Sequence, residues 1–259
     1  MGIFWTLFKS NLSKRVRDGF AVGYNIIFPF ILIIILGALL KGSYNKIITS
    51  YQYYTLVTVP FCILYSIITA AYAGKDEACS NTAARILAAP VKKIEIVLSK
   101  LLSCVVVFAL CNIIVLLSCS LILRVPIWGK LIPVIILLTA ETFFSCGLGL
   151  LIGFGMKNFV VVKNIINIPI CLFAIMGGSF YPVGSLNRGW QAVFYLSPLT
   201  WINKSIFRYL YDVKQRDTVH SMFIITAVFL VLGLIISAAA IIWFKKEEYL
   251  NGYLPGYQK

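Results

Sequence analysis

The chain has 259 residues, 60% of them hydrophobic and only 12% charged, with a net charge of +14. Soluble domains average about 45–50% apolar and about 25% charged residues, so the composition excludes an ordinary soluble fold and indicates a membrane protein. The basic residues flank apolar runs, so anionic headgroups and membrane topology account for the charge, and nucleic acid is not an expected partner.

Residues 3–18 read "IFWTLFKSNLSKRVRD". Phe4, Trp5, Phe8, Leu12 and Val16 recur at helical spacing, with Lys9, Ser13, Lys14 and Arg17 on the other side. Residues 1–18 are therefore expected to form an amphipathic helix in the headgroup plane. It would serve either as an anchor or as a lever joined to the first span.

Crossing about 30 Å of hydrocarbon takes roughly 20 helical residues. Six runs qualify: 20–40, 53–73, 98–123, 131–155, 159–178 and 221–244. The first is too long for a signal-peptide core, and "GALLKGS" offers no A-x-A-like cleavage site. The expected fold is an all-α polytopic membrane protein, a single domain over residues 1–259. An even number of crossings places both termini on one side. That side holds 14 of the 23 Lys and Arg residues, which predicts cytoplasmic termini.

Between the second and third runs lies "SNTAARILAAPVKK". The second span is expected to continue to Glu77. Ser80, Asn81 and Thr82 offer caps for a short helix from Ala83 to Ala88, which Pro90 stops before the next helix. The fixed φ of Pro90 suits the first turn of that next helix. There Val91, Ile94, Leu98 and Leu101 share a face, with Lys92, Lys93 and Glu95 turned away. The outcome is a bent elbow.

Toward the other membrane face, Gly177-Gly178 ends the fifth run. Residues 179–219 are too aromatic for a free loop and too interrupted to span. Short re-entrant helices are expected there, buried in protein or lining a wet cavity. They would form a lid over an exit path.

These two stretches resemble the membrane subunits of type-2 ATP-binding-cassette (ABC) exporters. The family's coupling-helix pattern is matched by Glu77, Thr82, Arg85, Ile86, Leu87, Ala88, Ala89, Pro90 and Val91, with Asn81 where a Gly is usual. The pattern around the fifth helix is matched by Gly177, Gly178, Phe180, Pro182, Leu186, Trp190, Tyr195, Pro198, Leu199 and Thr200. The usual Pro before the Trp is replaced by Asn187-Arg188-Gly189. The resemblance implies a permease in the plasma membrane that partners a cytoplasmic ABC ATPase and a second permease copy. In that arrangement Arg85, Ile86 and Leu87 contact the ATPase, and Gly177, Gly178, Phe180, Pro182, Trp190 and Pro198 form an outer gate.

No G-x-x-x-x-G-K-[ST] occurs, so no nucleotide site of that kind is expected in this chain; ATP and magnesium would belong to the ATPase subunit. Seven cysteines, without any CxxC, read as small hydrophobes, and a single His makes a zinc set unexpected. Glu141 lies mid-span in the fourth run, where an ionisable group marks either a substrate or proton site or a helix–helix hydrogen bond. Asn112, Asn164 and Asn167 are its candidate partners, and Glu141, Asn164 and Asn167 together form a candidate path or polar core. Gly147, Gly149, Gly153 and Gly155 permit close packing, within the subunit or at a dimer seam.

The apolar, aromatic path suggests export of an amphipathic drug, lipid or antibiotic-like molecule. A polysaccharide exporter is the alternative within the same family. Two further alternatives differ in class. An intramembrane serine protease would use Ser179 and His220, and a proton-coupled transporter would depend on Glu141.

Overall fold

The computed structural model describes residues 2–43, 48–79, 83–125, 129–156, 159–180, 194–211 and 215–244. Every regular element among them is helical: α1 (Ile3–Arg17), α2 (Gly19–Leu39), a 3-10 turn (Lys41–Ser43), α3 (Ser50–Cys79), α4 (Ala83–Ala88), α5 (Lys93–Ile122), α6 (Leu131–Gly155), α7 (Phe159–Met176), α8 (Pro198–Tyr211) and α9 (Gln215–Trp243).

Five of these, α2, α3, α5, α6 and α9, are long and apolar enough to cross a bilayer. The run expected at 159–178 is the shorter helix α7, whose apolar stretch is Val161–Met176. Several helices outrun their apolar runs. The second and third, expected at 53–73 and 98–123, occupy Ser50–Cys79 and Lys93–Ile122, and the last begins at Gln215. Hydropathy marks only the stretch in hydrocarbon, and these helices continue into polar sequence at their ends.

The polar residues of α3 explain its place in the bundle. It carries buried Thr55, Thr58, Ser66 and Thr69, and 83% of its most apolar window is buried, against 22% for α2 and 28% for α9. Ser66 and Thr69 return their hydroxyls to the carbonyls of Ile63 and Ser66, at 2.6 and 2.9 Å. Such local bonds satisfy hydroxyls that lipid cannot. The helices with continuous apolar surfaces, α2, α7 and α9, keep large aliphatic side chains exposed, among them Ile34, Ile168 and Leu234.

α3 and α6 form the closest seam. A methyl group at Gly149 would collide with the Ile67 carbonyl and the Ala70 side chain, and one at Gly153 would meet the Ala71 carbonyl at 2.5 Å. Gly147 and Gly155 face Gly233 and Trp243 on α9. The small-residue stripe of α6 thus serves packing inside the chain, against α3 and α9.

Two apolar clusters sit at opposite ends of the bundle. One, at the end bearing α1 and α4, joins Ala21, Ile96, Leu101, Phe108, Phe154 and Phe244. The other, at the α8 end, joins Ile33, Leu56, Leu116, Leu137, Ile206 and Phe229. Cys62, Cys104, Cys111, Cys119 and Cys146 are buried and unbridged, as small apolar fillers are, while Cys171 is exposed.

Candidate functional site

At one end the structure assembles the elbow. α4 covers Ala83–Ala88, and Ala83 is buried. Ile86 and Leu87 are half-buried against the chain's own core. Ala88, Ala89 and Pro90 of the elbow are exposed, as are Lys92 and Lys93 beyond them. Glu77 falls near the end of α3 and Arg85 within α4; Asn81 and Thr82 lie outside the described residues. Pro90 precedes α5 rather than starting it. Lys92 stands at the N-cap, and its N–H donates to the Glu95 carboxylate at 2.9 Å.

α5 then enters the bundle on a face shifted somewhat from the one its sequence suggests. Leu101 is buried and Val91 and Leu98 pack against the core as expected, while Ile94 is exposed and Ile96 and Val97 are buried in its stead. The face turns because α1 packs along α5 and offers polar partners. Asn11 donates through Nδ2 to Ser99 Oγ at 3.1 Å, and both residues are buried. Arg15, buried too, bonds Asp18 at 3.1 Å, and Asp18 caps α2 by accepting from the Ala21 N–H. The protein-facing side of α1 is therefore Phe4, Leu7, Phe8, Asn11, Leu12 and Arg15, and Trp5 and Val16 are exposed. A rule that turns polar residues to water could not foresee this, because the surface of α5 is itself polar there. Lys100, also buried, donates to the Ala73 carbonyl at 2.8 Å and lies 5.5 Å from the Phe154 ring centroid, tying α5 to α3 and α6.

At the opposite end, α7 stops at Met176 and the chain turns through Gly178 at φ 78°. The last carbonyls of a helix have no partner of their own. Here α8 supplies donors. Ser197 bonds the Phe173 carbonyl at 2.9 Å, Thr200 the Met176 carbonyl at 3.1 Å, and Asn203 the Gly177 carbonyl at 2.7 Å. Ser197-Pro198 starts α8, and proline is favoured at a first helical position. Gly177 is required by proximity, since a Cβ there would lie 2.8 Å from that of Leu199. From α3, Tyr53 and Tyr54 donate to the carbonyls of Gly178 and Phe180 at 2.9 and 3.2 Å. Lys204 lies 3.7 Å from the ring centroid of exposed Tyr195. Its hydrogen bond, then its charge, lower the pKa of that phenol below the ordinary tyrosine value. Pro182 and Trp190 lie outside the described residues.

Ser179 is buried, and its hydroxyl lies 3.4 Å from the Val57 carbonyl, while His220 is exposed on α9. Among the described residues the Ser179 hydroxyl bonds backbone, and no hydrogen bond joins it to His220.

Glu141 is fully buried, and neither carboxylate oxygen has a hydrogen-bond partner among the described residues. The expected partners are elsewhere. Asn112 points its amide nitrogen to Thr142 Oγ1 at 3.4 Å, and Asn164 and Asn167 line a separate cavity of about 220 Å³ between α2, α3 and α7. That cavity also holds Phe20, Tyr24, Tyr65, Tyr72 and Lys163. Sequence reading missed it because its walls come from three helices distant in the chain.

Aromatic rings run on from this cavity. Phe20 stacks on Tyr24 at 6.1 Å and Tyr24 on Phe28 at 4.9 Å, both being i, i+4 pairs on α2. Phe28 meets Tyr65 at 6.2 Å, Tyr65 meets Phe61 at 6.0 Å, and Phe61 meets Phe180 at 5.7 Å. The ladder joins the cavity near the α1 end to the backbone knot at the α8 end.

No curated protein matches the chain. A family model described as ABC-2 type transporter matches residues 3–211, which takes in the elbow, the aromatic ladder and the α7–α8 knot. With its apolar spans, its elbow and that match, the chain belongs to the ABC-2 type transporter family as a multi-pass membrane permease subunit.

Proposed function

We propose that this permease is one half of an exporter driven by a separate ABC ATPase, which seats on the exposed part of the elbow. Two permeases and two ATPases make the working unit, with both termini of each permease cytoplasmic in the plasma membrane and α7 completing six crossings. The observation that carries this reading is mechanical. The elbow leads into α5, and α5 holds α1 through the buried Asn11–Ser99 contact. A push on Ala88–Pro90 therefore reaches α5 and α1 together, and α1 passes it to α2 through the Asp18 cap.

The substrate path follows the groove between α2, α3 and α7, along the aromatic ladder to the gate at Gly177, Gly178 and Phe180. Rings suit an amphipathic molecule, because each presents a large apolar face at low entropy cost.

The test is co-reconstitution with the cognate ATPase. Arg85→Glu and Ala88→Asp should each leave the purified permease folded while uncoupling ATP hydrolysis from export. Normal export by both variants would remove the elbow from the mechanism.

A further inference from the structure

Lys163 lines the cavity between α2, α3 and α7. Its Nζ donates to the Tyr72 hydroxyl at 3.1 Å and lies 5.6 Å from the same ring's centroid, and no carboxylate pairs with it among the described residues. None of the described residues lining the cavity is acidic. The same cavity is lined by Asn164 and Asn167, whose Nδ2 groups can donate to an anion.

Lys163 lies one turn into α7, at the end of the bundle bearing α1, the end that the proposed topology sets toward the cytoplasmic headgroups. A lysine there has an inexpensive alternative, which is to extend into water. This one is instead half-buried against Tyr72. A ring face offsets part of the cost of desolvating an ammonium, and an anion offsets more. Away from the charge the cavity is apolar and aromatic, and α7 continues from it with exposed Val161, Ile165 and Ile168.

From this juxtaposition we infer that the cavity is a loading site for an anionic amphiphile, whose negative headgroup pairs with Lys163 and hydrogen-bonds Asn164 and Asn167 while its apolar part lies against Phe20, Tyr24 and Tyr65. This rests on the export reading above and narrows its substrate class from amphipathic to anionic. The headgroup is a carboxylate or phosphate on an apolar chain, brought either by a bilayer lipid or by a free amphiphile.

The test is photolabelling of the purified full-length chain in phosphatidylcholine nanodiscs. The probe is a long-chain fatty acid carrying a diazirine near its carboxylate, compared with the same chain ending in trimethylammonium. The fatty acid should label peptides around Phe20–Tyr24, Tyr65–Tyr72 and Lys163–Asn167, and the cationic probe should stay at background. Lys163→Gln should cut the labelling roughly tenfold or more, the weight of one charge-assisted contact, whereas Lys163→Arg should retain it and so exclude misfolding as the cause. Adding phosphatidylglycerol to the discs separates the sources: competition identifies a bilayer lipid, and undiminished labelling a free amphiphile. Equal labelling by the two probes, or labelling unchanged in Lys163→Gln, overturns the inference. Binding is read without the ATPase, so its failure and a failure of elbow coupling are separate results.

Discussion

The single residue with most at stake is Glu141. A buried polar group left unpaired costs about 1–3 kcal/mol, and both oxygens of this carboxyl lack partners among the described residues. Thr58 Oγ1 and Ser145 Oγ, buried on the same two helices, lack them as well. Glu141 therefore belongs to the α3–α6 core, apart from the cavity that holds Asn164 and Asn167. Replacing a buried polar group by an apolar one of similar size is often neutral or stabilising. Glu141→Leu is accordingly expected to leave the thermal midpoint of the purified chain unchanged or to raise it, by up to about 1–3 kcal/mol in stability. A clear fall in midpoint would mean that the carboxyl has a partner, such as an internal water, that it needs for folding. That an ionisable group lay mid-span was plain from the sequence. Which groups faced it was not, because a one-turn error in helix register exchanges one set of neighbours for another.

At the scale of elements, the end of α7 depends on α8. Its last carbonyls are satisfied by Ser197, Thr200 and Asn203, and the tightest of these bonds is Asn203 to Gly177 at 2.7 Å. Asn203→Ala leaves the Gly177 carbonyl unpaired in a buried setting and is expected to cost about 1–3 kcal/mol, read as a lower thermal midpoint. Thr200→Val, which keeps the side chain's shape, should cost less, because its bond is longer and the residue still fills its space. If Asn203→Ala melts like the wild type, the two helices are not held by this bond. The elements themselves were legible from hydropathy and capping residues, and the helix Ala83–Ala88 begins and ends where its flanking residues suggest. Faces were less legible. Ile94 and Val16 turn outward although they match an apolar repeat, and Asn11 and Arg15 turn inward although they are polar. In a bilayer an exposed apolar side chain is no liability, so the apolar side of a helix need not be its protein side. Polar residues that find a partner across a helix pair then decide which face packs.

Across the whole molecule, the contacts divide the bundle into a stiff part and a part able to carry motion. α3 and α6 are in backbone contact at Gly149 and Gly153, where no side chain can yield, so they are expected to move as one body. α1 rides on α5 through Asn11 and Ser99, and α5 begins at the elbow. If elbow displacement drives export, α1 and α5 travel as a second body against the first, and fastening them together should do no harm. The experiment replaces Asn11 and Ser99 by cysteine, with Cys171→Ala to remove the one thiol exposed among the described residues and Cys79→Ala beside it, and joins the new pair by oxidation or by a short bis-thiol reagent. Export by the permease with its ATPase should persist after cross-linking at close to the uncross-linked rate. Loss of export on cross-linking, restored by dithiothreitol, would show that α1 must leave α5 during the cycle. The push would then have to reach α2 by another route than the buried contact between α1 and α5.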